Sequence, residues 1–116
     1  MTPTRIQRKR TKGWTAPLDE QGRKPIYVGR GSRWGNPWHI TRHGQEWRVE
    51  GPDGVRRYDS WAVARLYAVT HYRAALVGNP GMVETVRAGL AGRTLMCWCP
   101  EGSLCHGDDL LTIANQ

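Results

Sequence analysis

Residues 93 to 114, RTLMCWCPEGSLCHGDDLLTIA, most narrow the folds open to this chain. A first apolar run around Leu95 and Met96 is broken by a loop holding Pro100 and Gly102, and a second apolar run follows from Leu110 to Ala114. The pattern predicts a strand over Thr94 to Cys99, a loop, and a short terminal helix opened by Cys105 and His106. Such a junction is half of a βα unit. It also holds all three cysteines of the chain, one of its four histidines and two of its acids.

At 116 residues the chain is expected to form one domain, which buries about two thirds of its unfolded surface without needing a metal or disulfide. The net charge of +7 is uneven: residues 1–12 carry Arg5, Arg8, Lys9, Arg10 and Lys12 and no acid. This basic amino-terminal segment, expected to be partly flexible, is suited to phosphates or nucleic acid. MTPTRIQRKR lacks the apolar stretch of a secretory leader, and no run reaches membrane-spanning length. A cytoplasmic protein without a membrane partner is therefore expected, in which thiols stay reduced. Three clustered cysteines then read as metal ligands, reactive groups or buried small side chains, and a structural disulfide is the weakest reading.

Elsewhere the elements announce themselves by caps and turns. Ile26-Tyr27-Val28 reads as a strand ended by a glycine loop, and Glu46 to Glu50 with Val55 to Tyr58 reads as a hairpin turned at Pro52-Asp53-Gly54. Asp59 or Ser60 caps a helix over 61–76, where Val63, Leu66, Tyr67, Thr70, Ala74 and Val77 fall at helical spacing. Asn79 and Pro80 start a second helix that ends at Leu90. The order predicts an α/β fold, a small single-domain sandwich with a short mixed sheet, a β-hairpin and about three helices.

Between Val28 and Trp38 the chain reads GRGSRWGNP. Glycines let a backbone approach an anion, Arg30 and Arg33 can contact phosphate, and Ser32 and Asn36 add polar groups, with Asn36 placed to orient a base or sugar. The spacing is neither a dinucleotide-fold fingerprint nor a P-loop, so a Rossmann-type cofactor is not supported. The competing reading is a tight loop with Trp34 and Trp38 packed beneath it. His39 and His43 flank this loop, whereas His71 sits mid-helix as a packed or surface residue.

Three readings of the cysteine segment stay open. Cys97, Cys99, Cys105 and His106 form a donor set that zinc accepts, although C-x-C is tighter than the usual spacing. Alternatively Cys105, at a helix start that favours anions, is a reactive thiolate, with His106 as proton carrier and Asp108 as acid or base. In the third reading the sulfurs only fill space and the acids complement the helix dipole.

Two blocks, YVGRGSRWGNPW (27–38) and LMCWCPEGSLCHGDDLLTIAN (95–115), preceded by QRKR, resemble a family of small bacterial and phage proteins catalogued as domain of unknown function 4326. The Pro100 to Leu104 loop is longer than that family's pattern. The resemblance implies a bacterial or phage cytosolic setting, and the joint occurrence of the blocks implies that they form one pocket. The expected function is binding of a phosphorylated nucleotide or nucleic-acid end between the glycine loop and the CHGD helix start, with no reaction type specified. No cofactor is required by this reading. The alternatives are a zinc-stabilised nucleic-acid-binding module and a non-enzymatic phage protein acting on a host protein partner.

Overall fold

A computed structural model describes residues 3–116 of the chain, which form an α/β domain. Its elements are β1 (Arg5–Gln7), β2 (Ile26–Tyr27), β3 (His39–His43), β4 (Glu46–Gly51), β5 (Gly54–Tyr58), α1 (Trp61–Val77), α2 (Pro80–Leu90), β6 (Leu95–Cys97) and α3 (His106–Ala114). The strands make two three-stranded sheets. In the first, β6 lies between β1 and β2, parallel to both. The second is the antiparallel meander β3-β4-β5.

The helix starts follow local chemistry. Ser60 Oγ accepts from Val63 N–H, Asn79 Oδ1 accepts from Met82 N–H, and Pro80 stands where a missing N–H costs nothing. The hairpin closes at Pro52-Asp53, and Gly54, with φ +118°, takes a conformation that side chains resist. β6 stops at Cys97, two residues short of the predicted strand. Its partner β1 ends opposite, at Gln7; Arg8 N–H takes the Cys97 carbonyl at 2.7 Å, and Pro100 follows.

The main core joins Val28, Trp34, Tyr72, Leu76, Val86, Leu90, Leu95, Leu110 and Ile113 with the sulfurs of Cys97 and Cys105. A smaller one packs Val49 of the meander against Ala64 and Ala68, and Trp38 touches both. The buried stripe of α1 is thus Ala64, Ala68, Val69, Tyr72 and Leu76, while Val63, Leu66, Tyr67 and Val77 are exposed. Ala64 and Ala68 face the meander and Tyr72 and Leu76 the main core, so the buried stripe is turned from the one that the apolar spacing predicts. Arg73 of α1 holds the buried Asp109 of α3 at 2.7 Å. No helix among the described residues is long and apolar enough to cross a membrane.

Candidate functional site

The glycine loop leaves β2 and is wound tightly on itself. Ser32 N–H and Oγ both donate to the Gly29 carbonyl, at 3.1 and 2.6 Å, and Gly35 N–H donates to Ser32 O at 3.1 Å. A Cβ at Gly35 would come within 3.0 Å of the Gly29 carbonyl, so the crossing requires glycine. Asn36 pins the loop to the helix: Nδ2 donates to Ala68 O of α1 at 3.1 Å while Oδ1 accepts from Trp38 N–H at 2.9 Å. Trp34 is buried beneath, and Arg33 stacks on its indole at 4.6 Å. Arg30, exposed, makes no side-chain hydrogen bond or ion pair among the described residues.

The end of β6, the loop that follows it and the start of α3 bring the three sulfurs together. All three Sγ atoms lie within 4.8 Å of one another, and the Cys97–Cys105 pair lies at 3.2 Å. Cys105 is the N-cap of α3 and its sulfur accepts from Gly107 N–H at 3.4 Å. Two guanidinium groups from distant segments donate to the others, Arg5 to Cys97 and Arg65 of α1 to Cys99. Hydrogen bonds from Cys105 and then Cys99, with Arg5 nearby, hold the Cys97 thiol well below the usual range. Its hydrogen bond with Cys97, then Cys99, and burial push Cys105 up. Cys105, fully buried, and Cys97 share a hydrogen bond in which either sulfur can donate, so the two thiols titrate as a pair.

His106 is buried and donates from Nε2 to the Val28 carbonyl at 2.7 Å. Burial holds it below its ordinary pKa, so the ring is neutral. Its Nδ1 lies 3.8 Å from Cys105 Sγ but falls outside the close group that the three sulfurs form.

Between loop and strand lies a cavity of about 270 Å³ walled by Gly29, Arg30, Asn36 and Trp38 on one side and by Cys97, Trp98, Cys99 and His106 on the other, with Arg65 between. The two sequence blocks thus share one hollow. Of the residues singled out in the sequence, Arg30, Asn36, Cys97, Cys99 and His106 line it. Cys105 lies behind Cys97. Ser32 and Arg33 do not line the cavity, being occupied by the loop itself and by Trp34. Asp108 is also elsewhere: it pairs with Arg5 at 2.8 Å and lines a separate depression with Glu101, Gly102 and Ser103.

His39, His43 and His71 do not line the cavity either; His71 stacks on Trp38 at 5.8 Å. Arg65, Arg5 and Trp98 are the additions. Arg65 had no signal beyond being one cation on a helix, and Arg5 was hidden among the other basic residues of its segment. The guanidinium groups of Arg8 and Arg10 lie over the ring of Trp98, one wall of the cavity, at 5.0 and 4.6 Å.

A model of the family described as domain of unknown function DUF4326 matches residues 6–116. No curated protein and no solved structure matches the chain.

Proposed function

The chain belongs to the DUF4326 family, and we propose that it binds a phosphorylated nucleotide or nucleic-acid end in the cavity between the glycine loop and the cysteine strand. The observation that carries this reading is the composition of the cavity wall, where two guanidinium groups, Arg30 and Arg65, meet two indoles, Trp38 and Trp98. Guanidinium forks suit phosphate oxygens, and a flat base suits an indole face, which on Trp98 it would take over from Arg8 or Arg10. The unpartnered charge of Arg30 is available to an anion without breaking any bond of the loop. At about 270 Å³ the hollow sits near the lower edge of ligand sites, about 300–1,000 Å³. That is room for one nucleotide unit and not for a dinucleotide cofactor.

Asn36 contributes by position. Both ends of its amide are engaged in holding the loop to α1, so it shapes the wall and leaves recognition to its neighbours. Arg8 and Arg10 over Trp98 add positive charge next to the cavity wall, which favours a strand end over a free nucleotide. The sulfur group supports a second reading alongside this one, in which a metal such as zinc stiffens the same wall.

Calorimetric titration with nucleoside phosphates and with phosphorylated oligonucleotides tests the proposal. Arg30→Ala is expected to lose at least tenfold in affinity with an unchanged melting temperature. Equal affinity in the variant, or no binding by the wild-type protein, overturns it.

A further inference from the structure

We infer that Cys97, Cys99 and Cys105 form a binding site for one thiophilic divalent ion of the zinc type, with three thiolate ligands from the chain and a fourth position open toward the cavity. Zinc–sulfur bonds of about 2.3 Å in a tetrahedron require sulfurs about 3.8 Å apart. The three Sγ atoms, one pair at 3.2 Å and all within 4.8 Å, already stand at that scale. Cys97 ends β6 and Cys105 is the N-cap of α3, while Cys99 stands two residues past β6 in the connecting loop, where Arg65 donates to its sulfur. Soft thiols select zinc-like ions over magnesium or calcium.

The surroundings fit a metal–thiolate group in charge as well as in distance. Three thiolates on a divalent ion carry a net charge of −1, and the Arg5 and Arg65 guanidinium groups donate to the sulfurs of Cys97 and Cys99. Gly107 N–H does the same for Cys105. Donors of this kind around ligand atoms orient them and balance their charge. Binding releases the remaining thiol protons to solvent, because only the thiolate is a ligand.

The fourth position is open because the nearest further donor, His106 Nδ1, stands outside the close sulfur group. His106 is tied through Nε2 to the Val28 carbonyl, and its Nδ1 is not part of the close group. Cys97 and Cys99 both line the cavity, so an ion held by them meets solvent or ligand on that side. Three protein ligands with an exchangeable fourth is the arrangement of reactive zinc sites, whereas structural sites are closed by four. The metal site stands on the sulfur geometry alone; occupation of its fourth position by a phosphate oxygen rests on the anion-binding reading of the cavity.

The test uses the full chain, reduced and freed of metal with a chelator, with its fold checked by circular dichroism, and titrated with Co²⁺. One equivalent is expected to bind with thiolate-to-cobalt charge-transfer absorption. Cys99→Ser, at the half-buried thiol, is expected to lose about a third of that absorption, one thiolate of three. His106→Gln is expected to keep all of it. Azide and inorganic phosphate are then added separately, and each is expected to shift the cobalt ligand-field bands. A shift with azide but none with phosphate supports the open metal site and counts against the anion-binding reading. Folded wild-type protein that takes up no Co²⁺ overturns the inference. So does loss of cobalt binding in His106→Gln, or a spectrum that neither anion moves.

Discussion

Arg5 and Asp108, 103 positions apart, meet through an Nε to Oδ1 hydrogen bond of 2.8 Å. The Arg5 side chain is 5% exposed and its partner's 50%, so the two ends of this pair carry unequal weight. The other guanidinium donors reach the carbonyls of Cys99, Pro100 and Ser103 and the Cys97 sulfur. One side chain from β1 thereby holds the loop that joins β6 to α3 and fixes the spacing of the three sulfurs.

Arg5→Ala takes the donor from the Cys99 and Ser103 carbonyls, while Pro100 keeps Ser103 and Cys97 keeps Cys105, and is expected to destabilise the protein by about 2–4 kcal/mol. Arg5→Lys should recover little, since an ammonium cannot span the fork. Asp108→Asn is expected to cost under about 1 kcal/mol, because its end of the pair is solvated. Urea denaturation of the three variants gives the order directly, and a larger loss for Asp108→Asn than for Arg5→Ala would falsify the assignment of the clamp to Arg5.

The thiols and His106 give stability a maximum with pH in the metal-free, reduced protein. Folded Cys97 lies below its unfolded value of about 8.5, so its contribution is complete above that pH and fades as pH falls toward the folded pKa. His106, depressed below about 6.5, is neutral in the folded protein while the unfolded chain takes up a proton, which also removes stability on the acid side. Cys99 and Cys105, both raised, hold protons that the unfolded chain releases above about 8.5, so stability falls there. Urea midpoints measured from pH 5 to 10 are expected to rise, peak near pH 8 and decline. His106→Gln, which keeps a donor for Val28, should flatten the acid limb; an unaltered limb removes His106 from this account.

Helix α1 makes a second stability prediction, about which face is buried. Ala68→Leu pushes a side chain into the close contact with Val49 and is expected to cost about 1–3 kcal/mol. Leu66→Ala, on the exposed face, should stay within about 0.5 kcal/mol. If thermal unfolding ranks the two the other way round, the helix is turned on its axis relative to this description.

These cases mark what could be read from the sequence. Ser60, Asn79-Pro80 and Pro52-Asp53-Gly54 act on atoms within four residues, so the chain around them was enough to place α1, α2 and the hairpin. The joint occurrence of the two blocks points to one pocket at the CHGD helix start, whereas the cavity they share is walled by Cys97, Trp98, Cys99 and His106, without Cys105 or Asp108. β1 was not, because parallel pairing to a strand some ninety residues away leaves no turn beside it. Arg65, Arg5 and the Asp108 pairing were hidden for the same reason, each being defined by a partner distant in sequence. The predicted face of α1 failed because the alanines that meet Val49 carry little weight in a spacing argument, whereas the exposed Val63, Leu66 and Tyr67 carry much.

Trp38 connects the meander to the cavity, and Gly51 at the end of β4 allows it to lie there. A Cβ on Gly51 would overlap the Trp38 indole, which touches both cores, donates from Nε1 to Asp53 at 2.9 Å and walls the cavity. The ring has no free direction in which to yield without giving up one of these contacts. Gly51→Ala is therefore expected to cost about 1–3 kcal/mol and to weaken nucleotide binding although residue 51 does not line the cavity. Trp38→Leu removes the obstacle, so the cost of Gly51→Ala in that background should be smaller, a coupling that a double-mutant cycle measures by urea denaturation. Additive effects of the two substitutions would mean that Gly51 is not what positions the indole.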